Sequence, residues 1–421
     1  MREKHIPWLA LVLFLGAAIM VPMAATHAVD FPVYYRATRV FLEGHGPLYG
    51  PQSGMGWPMH YRYPPLFLFA FVPFALLPFK FSAVLWAALK WAVLYLLVRA
   101  MARQMNFPST GWWWLVPGCL SASFLVQELK GGNAQFLIFA LTAAALLALR
   151  RRPWLTAILL ALAASLKVWP FFFVPYIAAR RRYAVAASTL ALICLLTLVP
   201  AIHFGWHGNI GLLRQWTSQE WEPGSLSIDM WYPSQSLSGV LQRYLTFMDY
   251  SKAVDPNYLD IHVVALPTGA VRVLWACLAV LGYAALLLVA HARPSSDGWI
   301  EDSLAWCGVV ILEPFTHRIS LLALLWPGMV AGTLLARPGA LSSWSRRLLY
   351  AATAIIALEA IIPGRLVQRL FQVCGVDFGV VCLITTVLVA AWLRNPPQEV
   401  AKPAEVPAQS AALPAAAASP P

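Results

Sequence analysis

The stretch MREKHIPWLALVLFLGAAIMVPMAATHAVD, residues 1–30, decides the class of fold. Arg2 and Lys4 precede an uncharged apolar run from about Ile6 to Met23, and a lone acid, Asp30, follows it. Such a run suits a bilayer, whose hydrocarbon takes about 20 helical residues to cross. The basic start predicts a cytoplasmic N-terminus, because Lys and Arg gather on the cytoplasmic side of short loops. Asp30 then emerges on the outer side. The small residues of AATHA also suit a signal-peptide cleavage site. Cleavage would part Asp30 from the helix that positions it, so the run is read as an uncleaved first span.

Outward from there the pattern repeats. Of the 421 residues 60% are hydrophobic and 11% charged, against about 25% charged in soluble domains. This is the composition of an all-α polytopic membrane protein. Further spans are expected at roughly 82–99, 110–127, 134–149, 154–169, 183–201, 269–290, 300–312, 318–336, 347–363 and 376–393. The segment PFFFVPYIAA, 170–179, is too short to cross and reads as a broken half-helix. The net charge of +12 comes in clusters between apolar runs, at Arg150–Arg152, Arg180–Arg182 and Arg346–Arg347. That arrangement speaks for membrane topology and against nucleic acid. The six cysteines have no metal-type spacing and read as small core residues.

Asp30 outside and Arg150–Arg152 inside require an odd number of crossings, yet four apolar runs separate them. The run that fails to cross is YPPLFLFAFVPFALLP, with prolines at 64, 65, 73 and 78. Proline removes backbone donors and kinks helices, which is costly in hydrocarbon. It is expected to be re-entrant or juxtamembrane. Residues 1–394 then form one multi-span domain with outer loops at about 28–63 and 202–268. The Pro/Ala-rich residues 395–421 form a disordered cytoplasmic tail.

This topology gathers polar groups at the outer face: Asp30, Tyr34, Tyr35 and Arg36; His60 to Tyr63, with Arg62; Gln127, Glu128, Lys130, Asn133 and Gln135; Lys167; Trp206, Trp216, Glu220, Asp229 and Gln235 of the large loop; Glu313, His317 and Arg318. Singly, Arg36, Arg62 and Lys130 read as interface anchors and the tryptophans as an aromatic belt. Lys167 resists that reading, since it ends an apolar helix and charge at membrane depth usually faces a cavity. Together the set suits sugar transfer from a lipid phosphate. A carboxylate can act as general base on an acceptor hydroxyl, and cations can hold a phosphate leaving group.

At these residues the chain resembles the GT-C glycosyltransferases of family 87, the polyprenol-phosphate-mannose-dependent mannosyltransferases. VDFPVYYRATRVFLEGHGPLY resembles their first outer loop, through Asp30-Phe31, Tyr34-Tyr35 and Pro47-Leu48-Tyr49. YRYPPL resembles their Tyr-Pro-Pro-Leu segment. GGNAQF, with the block ending at Lys167–Pro170 and the Arg180 cluster, resembles the next. PSQSLSGVLQRYL resembles an Asn-Gln-Ser-Leu motif with Ser234 in place of Asn. EPFTHRISLLALLWP resembles a late turn carrying histidine. The likeness runs over about residues 6–340. Two departures stand out: Arg318 replaces a second histidine, and a Gly-Gln-x-Asn pattern becomes Gly132-Asn133-Ala134-Gln135.

The resemblance implies a GT-C-like helix bundle in the cytoplasmic (inner) membrane and an inverting transfer, with mannose as the expected sugar. The donor is a polyprenyl-phosphate sugar and the acceptor a lipid or glycan hydroxyl. It makes Asp30 the candidate base and His317 a second catalytic residue. Tyr34, Tyr35, Arg36, Arg62, Asn133, Gln135, Lys167, Gln235, Glu313 and Arg318 are candidate substrate contacts. No cofactor is implied, and the lack of an Asp-x-Asp cluster predicts activity that survives a chelator. Two other readings stay open. A secondary transporter would need polar residues at mid-bilayer. A non-catalytic lipid-sugar binding subunit would tolerate loss of Asp30 but not of its basic residues.

Overall fold

The computed structural model describes residues 7–44, 46–50, 53, 59–221, 232–247, 259–292, 298–362 and 365–394. Arg2, Lys4, Asp229 and the tail 395–421 lie outside the described residues. The described residues form helices, and the one β-type contact among them is an isolated antiparallel bridge between Ser234 and His317.

Helix α1, Pro7–His27, is the apolar first run. Helix α2, Phe31–Glu43, starts one residue after Asp30 and stops at Gly44, whose left-handed φ of 71° lets its N–H close back on the Val40 carbonyl. Helix α3, Pro65–Ala75, is only 11 residues long. Pro65 suits its first turn, where no backbone donor is needed. Pro78 then restarts the chain as α4, Phe79–Gln104. Eleven residues rise about 16 Å, too little to cross, and α3 packs against α2 and α4. The proline-rich run is therefore too short to cross by itself, and since α6 is short as well, α3 is not singled out among the four runs as the one that fails to cross.

Helices α5 (Leu115–Gly131), α6 (Gln135–Ala148) and α7 (Pro153–Leu166) follow through short turns. Lys167 ends α7 in an extended conformation, a 3-10 turn follows at Trp169–Phe172, and α8 covers Phe173–Ala179, so the short segment is broken as expected. Helices α9 (Tyr183–Leu198) and α10 (Ala201–Trp221) lie at 94° to each other, and α10 itself is kinked at Gly205 (φ 67°, ψ 172°). Much of the expected outer loop 202–268 is thus helical, with α11, Leu237–Leu245, continuing it. Helix α12 is Thr268–Ala292, α13 is Trp299–Leu312, and a 3-10 turn at Arg318–Leu324 leads into α14, Leu325–Ala336. Helices α15 (Ser343–Ile361), α16 (Arg365–Val373) and α17 (Val376–Arg394) complete the described chain.

The count of eleven spans needs correction. Among the described residues five helical stretches are long and apolar enough to cross by themselves, namely α1, α4, α12, α17 and the 3-10 turn running on into α14, or six if α9 and α10 count as one broken span. Helices α6, α7 and α13, 14 residues each, fall short of the required length. Helices α6 and α13 are largely buried, where a core helix needs no such length, whereas α7 packs on α6 and α9 and leaves Trp154 and Ile158 exposed.

Two polar clusters mark opposite ends of α6, α7 and α13. At one end Arg180 pairs with Asp302 (2.7 Å), Tyr176 donates to the same carboxylate (2.8 Å), and the Arg150 guanidinium lies 4.2 Å from the Trp299 ring centroid. At the other end lie Asp30 and the turns around Asn133, Lys167 and His317.

Candidate active site

The connection between α5 and α6 builds the site. Gly132 ends α5 with φ 76°, and a Cβ there would sit 2.8 Å from the Phe31 Cβ. Only glycine fits both the backbone and the approach. The Gly131 carbonyl accepts the Val29 N–H (3.0 Å) and the Asp30 N–H (2.8 Å), so the junction of α1 and α2 is stitched to this turn. Asn133 Nδ2 donates to Asp30 Oδ2 (3.2 Å), and Asn133 Oδ1 accepts the Gln135 N–H (2.8 Å). The side chain that orients the acid is thereby itself held.

Tyrosines close one side. Tyr34 donates to the Tyr63 hydroxyl (3.2 Å) and accepts the Ala134 N–H (3.3 Å), while Tyr63 reaches Asn133 Oδ1 at 3.4 Å. Lys167 closes the other. Its ammonium donates to Gln135 Oε1 (2.6 Å) and stands 5.8 Å from the Tyr63 ring centroid. Gln135 Nε2 in turn donates to Ser320 Oγ at 3.4 Å, joining the late turn to the cluster. Gln135, Ser320 and Glu313 line one small cavity.

Burial pushes the Asp30 carboxyl above its ordinary pKa, against the pull of the Asn133 hydrogen bond and the charges of Lys90 and Lys167. Burial likewise pushes Glu313 up to about 7, with Lys167 opposing. His317 is pushed down to about 4 by burial, then by Lys167 and Arg318. Its Nδ1 accepts the Ile319 N–H at 3.1 Å, which puts the ring proton on Nε2. His317 is a neutral donor at physiological pH.

The structure brings together Asp30, Tyr34, Asn133, Gln135 and Lys167 through this chain of bonds, with Glu313 beside Gln135 and His317 within electrostatic reach of Lys167. Other candidates are used elsewhere. Tyr35 donates to the Leu77 carbonyl (2.8 Å) and packs on Phe79. Arg36, half-buried, stands roughly 200° around α2 from Tyr34. Arg62 is exposed, and its carbonyl accepts from Trp216 of α10 (3.1 Å). Gln235 is fully buried and donates to the Tyr232 and Gln372 carbonyls (2.8 Å each), so it ties loop to helix. Arg318 pairs with Asp377 (2.8 Å) and Glu359.

Ser320 and Lys90 join the site's hydrogen bonds without a place among the outer-face polar groups, and Tyr63, gathered there, joins them without having been a candidate substrate contact. Tyr63 stands directly before the proline pair, and Lys90 was a lone charge inside an apolar run. Ser320 carried no such signal.

The polar cluster ends at an apolar groove of about 370 Å³ lined by Phe67, Phe71, Trp86, Ala134, Leu137 and Leu166 among others. That volume is in the range of ligand pockets. Ala134 and Leu166 directly adjoin Asn133 and Lys167 in sequence, and Phe67 packs on Tyr34 and Tyr63 at centroid distances of 5.1 and 4.4 Å. The groove thus begins where the polar cluster stops. Among the described residues no group of three or more His, Cys, Asp or Glu could hold a metal ion.

A family model described as glycosyltransferase family 87 matches residues 61–312. No curated protein matches the chain. Among solved structures, a crystal structure of ArnT from Cupriavidus metallidurans bound to undecaprenyl phosphate is similar at a TM-score of 0.38 and 12% sequence identity, over 91% of this chain and 77% of that one.

Proposed function

Because the chain belongs to glycosyltransferase family 87, we propose that it transfers a hexose, mannose first among candidates, from a polyprenyl-phosphate carrier to a hydroxyl of a lipid or glycan. The transfer inverts the anomeric centre at the outer face of the cytoplasmic membrane. The observation that carries this reading is the junction of a carboxylate and an ammonium with the head of an apolar groove. A lipid-phosphate sugar has that order of parts: apolar tail, anion, polar ring.

In this reading the tail lies along the groove and the phosphate meets Lys167. Asp30, aimed by Asn133, takes the proton of the acceptor hydroxyl. The freed oxygen attacks the anomeric carbon from the side opposite the phosphate. The carbon–oxygen bond to phosphate breaks, and polyprenyl phosphate leaves with the bonding pair. One displacement inverts the configuration. Lys167 offsets the charge that develops on the leaving phosphate, and the Nε2–H of His317 is a neutral donor for a sugar or phosphate oxygen. Tyr34 and Tyr63, both buried, back the Asn133 turn through their hydroxyls.

The test is transfer in isolated membranes from radiolabelled polyprenyl-phosphate mannose, wild type against Asp30→Asn. The amide keeps the shape and removes the base. Loss of a general base costs roughly 10²–10⁴-fold in rate, with the variant still folded. Equal transfer by both proteins overturns the assignment of Asp30. If neither protein transfers mannose or any of a panel of other polyprenyl-phosphate hexoses, the proposed activity is overturned.

A further inference from the structure

Lys90 lies about 16 Å along the axis of α4 from its first residue and is fully buried, as is Glu128 near the end of α5. The ammonium makes three contacts: the Glu128 carbonyl at 3.1 Å, Glu128 Oε2 at 3.3 Å and the Asn133 carbonyl at 3.0 Å. All three of its protons are used. The other carboxylate oxygen, Glu128 Oε1, accepts the Phe136 N–H at 2.9 Å, in the first turn of α6. One ion pair therefore holds the last turn of α5, the first turn of α6 and the peptide of Asn133 between them.

Trp86, one turn earlier on the same face of α4, donates to the Gly132 carbonyl at 2.9 Å. Two side chains of α4 thus grip two successive carbonyls of the turn that carries Asn133. Through Gly131 and Asn133 that same turn makes three hydrogen bonds to Val29 and Asp30. Two buried charges are expensive to desolvate, and an apolar pair of equal volume often serves stability as well or better. Stability alone therefore does not explain this pair.

We propose that Lys90 and Glu128 are positioning residues that fix the Gly131–Asn133 turn against Asp30 and so aim and tune the carboxylate. The proposal rests on the reading of Asp30 as the base. The charged and titratable groups facing Asp30 are Lys90, Lys167, Glu128, Tyr34 and Tyr63, with the neutral amide of Asn133 in direct contact. Lys90 and the Asn133 amide both favour the ionised carboxylate. Loosening the turn or removing the ammonium moves the titration of Asp30 to higher pH.

Two variants test this in the full-length protein: Lys90→Met, and the charge-neutral double variant Lys90→Met with Glu128→Gln. Folding is checked by thermal unfolding in detergent. The Asp30 carboxyl is followed by isotope-edited infrared titration, its band identified by loss in Asp30→Asn. The pH profile of kcat/KM is followed with a polyprenyl-phosphate sugar. A folded variant is expected to titrate Asp30 at higher pH, to lose kcat roughly 10–100-fold as misplaced catalytic groups do, and to keep its donor KM. A folded variant with wild-type titration and wild-type kcat overturns the proposal, as does failure of both variants to fold, which makes the pair structural. A shifted infrared titration with a kcat/KM profile that ignores Asp30 supports the positioning role and sinks the base assignment instead.

Discussion

Burial raises the pKa of Asp30, and in its proposed role as base it must be ionised to work. The acid limb of kcat/KM is therefore expected above the ordinary carboxylate range near 4, measured as transfer rate against pH. The same shift has the opposite sense for stability. A carboxyl whose folded pKa is raised binds its proton more tightly when folded, so its contribution is fully present below the unfolded pKa and is lost as pH rises through the folded one. Glu313, pushed up to about 7, follows this rule, so Glu313→Gln raises the melting temperature at pH 8 more than at pH 5. An equal gain at both would refute the shift. His317, pushed down to about 4, contributes no titration between pH 5 and 8, so His317→Asn lowers the rate without removing a limb of the profile there. Asp30, Asn133 and Lys167 were legible because charge and amide at the ends of apolar runs are conspicuous. Gln235 and Arg318 looked the same in the sequence. Only tertiary packing distinguishes a polar side chain that faces a site from one that holds backbone or a buried carboxylate.

Element by element, the punctuation was the readable part. Prolines 64, 65, 73 and 78 marked α3 as a run that breaks off short, whereas the role of Gly132 at the end of α5 comes from the structure. Gly132→Ala is expected to cost about 1–2 kcal/mol for the left-handed backbone alone, with the clash on Phe31 added. Its activity should fall further than that stability loss explains, since the turn carries Asn133. A variant that melts lower yet transfers normally would show that the turn tolerates displacement. The span count was not readable, because a 14-residue apolar helix buried by neighbours and a segment facing lipid carry the same residues. The C-terminal helices hold a second buried network, where Glu359 of α15 and Asp377 of α17 share Arg318. Arg318→Met leaves both acids without a cation and is expected to destabilise by about 3–5 kcal/mol. Adding Glu359→Gln and Asp377→Asn should recover part of that loss in a thermal melt. No recovery would mean that the arginine acts by packing on Phe124, 5.3 Å from its ring centroid.

For the molecule as a whole, orientation is the property to test. Cysteines placed at Arg62 and Arg151, in a background freed of the natural six, should differ under a membrane-impermeant maleimide. Position 62 is expected to label in intact cells and position 151 only after permeabilisation. The reverse pattern would move the candidate site to the cytoplasm. The bend between α9 and α10 has its own consequence. Helix α10 is pinned over the loop before α3 by Gln219, whose amide meets the Tyr61 carbonyl at 2.9 Å and the Gly50 N–H at 2.7 Å. Two residues that line the groove, Ala70 of α3 and Leu89 of α4, are exposed, which offers a way in from beside these helices. On the proposed function, a lipid-borne donor that enters by that route diffuses in two dimensions within the leaflet. Its saturation then follows the mole fraction of donor among lipids and is indifferent to the volume of water around the vesicles. Doubling the carrier lipid at constant donor should halve the rate below saturation, whereas doubling the buffer should leave it unchanged.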